Sequence, residues 1–168
     1  MVFIFIILAV IVIWVIAIYN GIIRLKNGVE NSWSGIDVQL KRRSDLIPNL
    51  IKTVKGYAKH EKTLFENVAK LRTQMTQATD AQVLAGLNTQ LLGQMKTIFG
   101  VAENYPDLKA NKNYIKLQEE LSQTENQIAA SRRIYNENVT LYNTKIQVFP
   151  NNLFAKVAGI NEKKWFRK

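Results

Sequence analysis

Apolar residues recur every three or four positions through most of the chain after residue 20, and strict alternation of apolar and polar residues is not found. This spacing is typical of amphipathic helices. Four such helices with short connections predict an antiparallel bundle. The apolar stripes run over Ile22–Leu40, Leu50–Met75, Leu84–Tyr105 and Tyr114–Ile146.

Prolines and a capping residue predict where these helices break. Because proline disfavours a helical residue before it, Pro48 predicts that the first helix ends near Leu46. Thr79 or Asp80 can cap the third helix, and Pro106 separates the third from the fourth. Pro150 ends the fourth, with Asn151 or Asn152 able to cap the segment after it.

The first segment differs from these amphipathic helices, because it is apolar on all sides and has no polar face. Residues Val2 to Tyr19 are 18 positions without a charge, and as a helix they extend about 27 Å, close to the thickness of a bilayer core. The alternative is a cleaved signal peptide with Val15-Ile16-Ala17 before the cut, although no basic segment precedes the apolar run. We expect an uncleaved membrane span marked by Val2, Trp14 and an interfacial Tyr19.

The predicted fold is therefore all-α, with an N-terminal transmembrane helix followed by an antiparallel four-helix bundle of long helices. Its parts are an anchor at residues 1–23, a bundle at 24–149 and a basic amphipathic tail at 150–168.

Charge predicts the orientation. The net charge is +10, and residues 24–62 carry nine basic and four acidic groups, beginning with Arg24 and Lys26. Because basic residues stay on the cytoplasmic side, the N-terminus is expected outside and the bundle inside the cell. The basic excess lies at both ends of residues 24–168 and belongs to no DNA-binding motif, so it favours anionic lipid over nucleic acid as a partner.

The amino-acid composition excludes several kinds of catalytic site. The chain has no cysteine and one histidine, which excludes thiol catalysis and any site that needs two imidazoles. His60-Glu61 lacks the second histidine of a zinc protease, because residue 64 is Leu64. We predict no catalytic residue, no metal and no cofactor, and hence no enzyme.

Several motifs make the chain similar to one family. They are Asn31-Ser32-Trp33-Ser34-Gly35-Ile36-Asp37-Val38-Gln39-Leu40-Lys41-Arg42-Arg43-Ser44-Asp45-Leu46-Ile47-Pro48-Asn49-Leu50, Val54-Lys55-Gly56-Tyr57-Ala58, Tyr105-Pro106-Asp107-Leu108-Lys109-Ala110, Glu119-Glu120-Leu121-Ser122-Gln123-Thr124-Glu125-Asn126 and Tyr142-Asn143-Thr144-Lys145-Ile146. Over about residues 18–150 the sequence resembles the LemA family. The resemblance implies a single-span protein of the bacterial inner membrane with a cytoplasmic helical bundle and no established catalytic residues.

Glycines at seven-residue intervals are the least expected feature, since each glycine inside a helix costs about 1 kcal/mol relative to alanine. One row is Gly21, Gly28 and Gly35. The other is Gly86, Gly93 and Gly100, opposite the apolar stripe of the third helix. Either row is tolerated glycine, or a small surface that lets another backbone approach. We expect the second row to face outward and to serve in assembly.

The tail combines apolar and basic residues in the manner of an interfacial helix, with Leu153, Phe154, Val157 and Ile160 on one face. The alternative is that its aromatic residues pack on the bundle or on a neighbouring subunit. The predicted membrane-surface contacts are Arg24, Lys26, Phe154, Lys163, Lys164, Trp165, Phe166 and Arg167.

These features favour a non-enzymatic scaffold that self-assembles at the membrane and organises or shapes it. The expected partners are the lipid bilayer and further copies of the chain. The alternative is a tethered adaptor that docks an unidentified protein such as a protease or a signalling protein. Within the bundle, Trp33 lies on the apolar stripe and is expected to be largely buried.

Overall fold

The computed structural model describes residues 2–167 and is helical with no strand in that part, which confirms the all-α prediction. Met1 and Lys168, the ends of the predicted anchor and tail, lie outside the described residues. The helices are α1 (Val2–Lys55), α2 (Lys62–Gln77), α3 (Ala81–Ala102), α4 (Pro106–Lys109), α5 (Lys112–Gln147) and α6 (Asn151–Val157).

The two longest helices, α1 and α5, pack side by side in opposite directions. A Cβ added at Gly21, Gly28 or Gly35 would lie 3.6–3.8 Å from Lys145, Asn138 and Ser131 respectively. Each step of seven residues along α1 is thus matched by a step of seven back along α5. The first glycine row therefore lies against α5, where small residues let the two helices approach closely.

Helices α2 and α3 form a hairpin that packs on the second half of α1. The Asp80 carboxylate caps α3 by accepting hydrogen bonds from the N–H groups of Gln82 (2.8 Å) and Val83 (3.1 Å), which confirms the predicted cap. These two bonds hold the pKa of Asp80 below its ordinary value. At 1.5 Å per residue, α2 and α3 are about 24 and 33 Å long and α5 about 54 Å. The hairpin is therefore too short to cover the whole α1–α5 pair.

The predicted end of the first helix near Leu46 is wrong, because α1 continues through Pro48 to Lys55. Proline has no N–H for the carbonyl four residues earlier, which is that of Ser44. In the structure, Arg72 of α2 donates from Nε to this carbonyl at 3.0 Å. The buried Leu50 and Val54 consequently belong to α1, and the turn to α2 lies at residues 56–61.

The later breaks agree more closely with the sequence. Pro106 begins α4, a single turn between α3 and α5, as expected of proline in a first helical position. Pro150 holds the N-cap position of α6, so neither asparagine stands where it was predicted to cap, although Asn152 Oδ1 accepts from the Leu153 N–H in the first turn at 2.8 Å. The Asn151 side chain instead donates to the Lys145 carbonyl at 3.0 Å and ties α6 to the end of α5.

Candidate functional surfaces

The first five turns of α1 project beyond the packed part of the molecule. Their large apolar side chains are exposed, including Val2, Trp14 and Tyr19. The segment is long and apolar enough to cross a membrane. Burial in the core begins at Ile18 and Ile22, where α5 ends beside α1.

The tail after α6 runs back along α5 and is held by two asparagine side chains. Asn136 accepts from the Phe166 N–H at 2.8 Å and donates to the Phe166 carbonyl at 3.2 Å. Asn143 makes the same two bonds with Lys163, both at 2.9 Å. Seven residues along a helix rise about 10 Å, and three residues of extended chain cover about the same distance. The spacing of the asparagines on α5 therefore matches that of their partners in the tail.

A tyrosine precedes each of these asparagines and binds the same segment. The hydroxyl of Tyr135 donates to the Lys164 carbonyl at 3.0 Å, and that of Tyr142 donates to the Asn161 carbonyl at 3.1 Å. Burial raises the pKa of both phenols, and the nearby carboxylates of Asp80 and Glu30 raise it further. The Tyr-Asn pair repeated after seven residues is the sequence signal for this docking site, and apolar periodicity does not reveal it.

The end of the tail packs against aromatic side chains of the bundle. Phe166 is only 2% exposed and lies beside Trp33, with ring centroids 5.9 Å apart. Trp33 also contacts Tyr135 at 5.5 Å. The predicted membrane contact of Phe166 is therefore wrong, because its side chain is buried in the protein. The helix of the tail, α6, ends at Val157, before Ile160. The alternative of aromatic packing on the bundle describes the structure.

A physical reason for this packing is the short hairpin. The tail lies on the part of the α1–α5 pair that is nearer the start of α1. Together with Gln82 at the start of α3, five of its residues line a hollow, namely Glu162, Lys163, Lys164, Trp165 and Arg167. Tail and hairpin thus cover successive lengths of the same helix pair. Trp33 packs against the core, as its place on the apolar stripe predicts, and the tail supplies part of its cover through Phe166.

The other predicted membrane contacts are found in two places. Arg24 is exposed, Lys26 forms a 4.0 Å ion pair with Glu30, and the Phe154 ring packs edge-on against Tyr19 with centroids 6.3 Å apart. The remaining four residues lie along the docked tail. Lys163 and Trp165 are half-buried, Lys164 is exposed, and the Arg167 guanidinium lies 5.1 Å from the Trp165 ring centroid.

The outer face of α3 is almost free of charge. Gly86, Gly93 and Gly100 are exposed, and a Cβ added at any of them would meet nothing within 4 Å. Lys96 is the one charged residue among the 22 of α3, whereas α2 has four among 16 and α5 has nine among 36. The structure thus places the second glycine row on an outer surface whose one charged residue, Lys96, is exposed three residues after Gly93 and four before Gly100.

A buried polar cluster joins three helices. Arg43 on α1 is fully buried and donates to Asn88 on α3 and Glu125 on α5. Burial lowers the pKa of the Arg43 guanidinium, and the Glu125 carboxylate raises it again. Because the guanidinium stays protonated in proteins, Arg43 and Glu125 form an ion pair that joins α1 to α5. The hydrogen bond from Arg43 to Asn88 ties α3 of the hairpin to this pair.

The far end of the molecule has a groove of about 540 Å³ between the ends of α1 and α5. Tyr57, Asn111 and the basic Lys52 and Lys116 line it. His60 lies nearby in the turn between α1 and α2. Between residues 2 and 167 no group of three or more histidine or acidic side chains is arranged to hold a metal ion.

These features define a class: an all-helical protein whose first helix is apolar enough to cross a membrane and continues into a helix-packed body. The LemA family model matches residues 32–168, and the chain belongs to that family.

Two relatives illustrate the range of similarity. Protein LemA of Metamycoplasma hominis is 30% identical over 141 residues, which cover 82% of this chain and 63% of that protein. Magnetosome protein MamQ 2 of Paramagnetospirillum magneticum is 22% identical over 176 residues, which cover 89% of this chain and 65% of that protein. The chain thus spans a little under two thirds of the length of these relatives.

Proposed function

We propose that this chain is a membrane-anchored scaffold whose copies associate side by side through the outer face of α3. The names of the relatives state no activity, so the proposal rests on the surfaces of the chain itself. The observation that carries it is the row of Gly86, Gly93 and Gly100 on an exposed, nearly uncharged helix face.

The anchor is the exposed apolar segment from Val2 to Tyr19. Ile18 and Ile22 join it to the packed body within one continuous helix, which supports an uncleaved span over a signal peptide. Arg24 and Lys26 come directly after it, so we place the body in the bacterial cytoplasm and the N-terminus outside. A reporter enzyme fused to the C-terminus should be active in the cytoplasm, and activity on the outer side would contradict this orientation.

Two properties of the outer face of α3 favour assembly, namely its small residues and its low charge. Without Cβ atoms at three successive positions, another helix can approach the backbone closely and gain van der Waals contact. Association there desolvates almost no charged group. The three glycines cost about 1 kcal/mol each in helix stability, and close packing with a neighbour would offset that cost.

The absence of cysteine from the sequence allows a clean cross-linking test in native membranes. Gly93→Cys on α3 is compared with Ala129→Cys, which is exposed on α5. Mild oxidation should link the α3 variant into dimers and leave the α5 variant monomeric. If Gly93→Cys remains monomeric at native expression, the α3 face is not the assembly surface.

The second candidate is an adaptor, which the groove at the far end favours. The charged residues that line the groove are Lys52, Lys116 and one acid, Glu120, which pairs with Lys116 at 3.9 Å. Lys52 therefore remains as the charge that favours an acidic segment of a cytoplasmic partner. An adaptor would stay monomeric and lose its partner on Lys52→Glu and Lys116→Glu substitution. Loss of that partner without any change in self-association would favour this function over the scaffold.

A further inference from the structure

Helix α6 lies at the level where the apolar segment of α1 meets the packed body. The Phe154 ring contacts Tyr19, the last residue of the apolar run. Two residues further along α1, a Cβ at Gly21 would lie 3.6 Å from the Lys145 side chain. The end of α5 and all of α6 are therefore placed beside the turn of α1 that would emerge from a bilayer.

One edge of this region is apolar and uncovered. Phe149, Leu153 and Val157 are four residues apart and 78%, 59% and 90% exposed, and Val148 at the end of α5 is 45% exposed. The opposite side of α6 buries Asn151 and Ala155 against the body. We call the four exposed residues the apolar edge, namely Val148, Phe149, Leu153 and Val157.

The residues around the apolar edge indicate what kind of surface covers it. The apolar edge lies near the end of the exposed apolar segment of α1, because Phe154, the neighbour of Leu153 in α6, contacts Tyr19. Lys145 and Lys156 flank it, and Arg24 lies little more than a turn beyond Tyr19. Apolar side chains bordered by lysines are the pattern of a segment lying in the interfacial zone of a membrane.

We propose that the apolar edge inserts into the interfacial zone of the bilayer that α1 crosses, as a second contact between the protein and lipid. This inference rests on the proposed anchor. It keeps Leu153 and Val157 from the interfacial helix expected from the sequence and adds Val148 and Phe149 of the preceding turn. It leaves out the basic aromatic end of the tail, which lies on the bundle. A single membrane-spanning helix can tilt in the bilayer and rotate about its own axis. A second contact with lipid beside it restricts both motions and thereby sets the direction in which the outer face of α3 points.

The position of each side chain in the membrane can be measured with single-cysteine variants of the full-length protein. Leu153→Cys and Val157→Cys are labelled with an environment-sensitive fluorophore and reconstituted in phosphatidylcholine–phosphatidylglycerol vesicles. Lipids carrying a nitroxide near the headgroup or deep in the acyl chain quench the label according to depth. Matched controls are Val38→Cys and Ile115→Cys, apolar positions that are 59% and 41% exposed but lie in the body, and Ile11→Cys marks the span.

We expect the α6 labels to be quenched by the shallow nitroxide about threefold or more above the body controls, as for a segment in the interface. The Ile11→Cys label should be quenched more by the deep nitroxide. Strong quenching at Ile11 with body-like values at Leu153 and Val157 would overturn the α6 contact while the anchor stands. Weak quenching at Ile11 would overturn the anchor and this inference together. Blue-shifted emission at α6 without quenching would mean that protein, such as a second copy, covers the apolar edge, and would also overturn the inference.

Discussion

Arg43 shows how a single residue can hold separate elements together. Its side chain is fully buried on α1 and bonds to α3 and α5 through Asn88 and Glu125. A buried charge is stable only when it is paired, so removing one partner costs more than the pair contributes. No periodic signal in the sequence marks this cluster, because the three residues come from different helices.

We predict that Arg43→Ala lowers the free energy of unfolding by about 3–5 kcal/mol, because it leaves polar partners and a void. Arg43→Met should cost clearly less, since it fills the space and Glu125 reaches solvent. Thermal and chemical unfolding of the full-length protein in detergent, monitored by circular dichroism, measures both. Equal stability of the alanine variant and the unmodified protein would contradict the role of the cluster.

The tail contacts predict a pH dependence at Tyr135 and Tyr142. Burial raises both pKa values, so the folded state favours the neutral phenol that donates to the tail. This stabilisation is fully present below the unfolded pKa of about 10 and is lost as pH rises through the higher folded value. In an ultraviolet titration, replacing both residues by phenylalanine should remove two late-titrating groups. Tyr114, whose pKa burial also raises, should still titrate late. Titration of Tyr135 and Tyr142 at the ordinary phenol pKa, with Tyr114 still titrating late, would argue against the docked tail.

The exposure of single residues is the property that the sequence predicts least completely. The stripes identified the buried positions well, since Ile36, Val68, Leu91 and Val139 are all fully buried. The apolar stripe places Trp33 on the correct face of α1, but the exposure of its side chain depends on Phe166, which is distant in the sequence. Contacts of this kind depend on how the tail folds back, and periodicity within one helix carries no information on that.

At the scale of elements, the segment that joins α1 to α2 shows tertiary contacts overriding a local sequence preference. Pro48 is a valid signal for a helix end, yet the helix passes through it. The buried stripe continues from Ile47 to Leu50 and Val54, and Arg72 supplies a donor for the Ser44 carbonyl. Burial and this hydrogen bond together offset the helix-breaking tendency. By contrast, Asp80 at α3 and Pro106 at α4 act within their own turns, so the sequence predicted them correctly.

A double-mutant cycle tests this account of the joint. Arg72→Met should cost about 1–2 kcal/mol, because the Ser44 carbonyl loses a charged donor. In the Pro48→Ala background the same substitution should cost less, since a backbone N–H can then serve that carbonyl. The measurement is chemical unfolding of the four proteins. Identical costs in both backgrounds would show that Arg72 does not compensate for the proline.

At the scale of the whole molecule, one continuous helix joins the proposed membrane span to the packed body. The α2–α3 hairpin covers one half of the α1–α5 pair, and the tail covers the other. Among the surfaces that this arrangement leaves exposed in residues 2–167 are the apolar start of α1, the apolar edge beside it and the outer face of α3. The first two face the proposed bilayer. In the proposed scaffold, the third is the surface that meets neighbouring copies.

The most direct test is the mass of the full-length protein in mild detergent, measured by light scattering with correction for the micelle. The account predicts an assembly of several copies. Gly86→Leu with Gly93→Leu should reduce it to small species with helicity unchanged, because leucine side chains hold a neighbouring backbone away from α3. Ser122→Leu with Ala129→Leu, also seven residues apart and exposed on α5, should leave the assembly intact. A monomeric unmodified protein, or glycine variants that assemble as it does, would contradict the proposed scaffold.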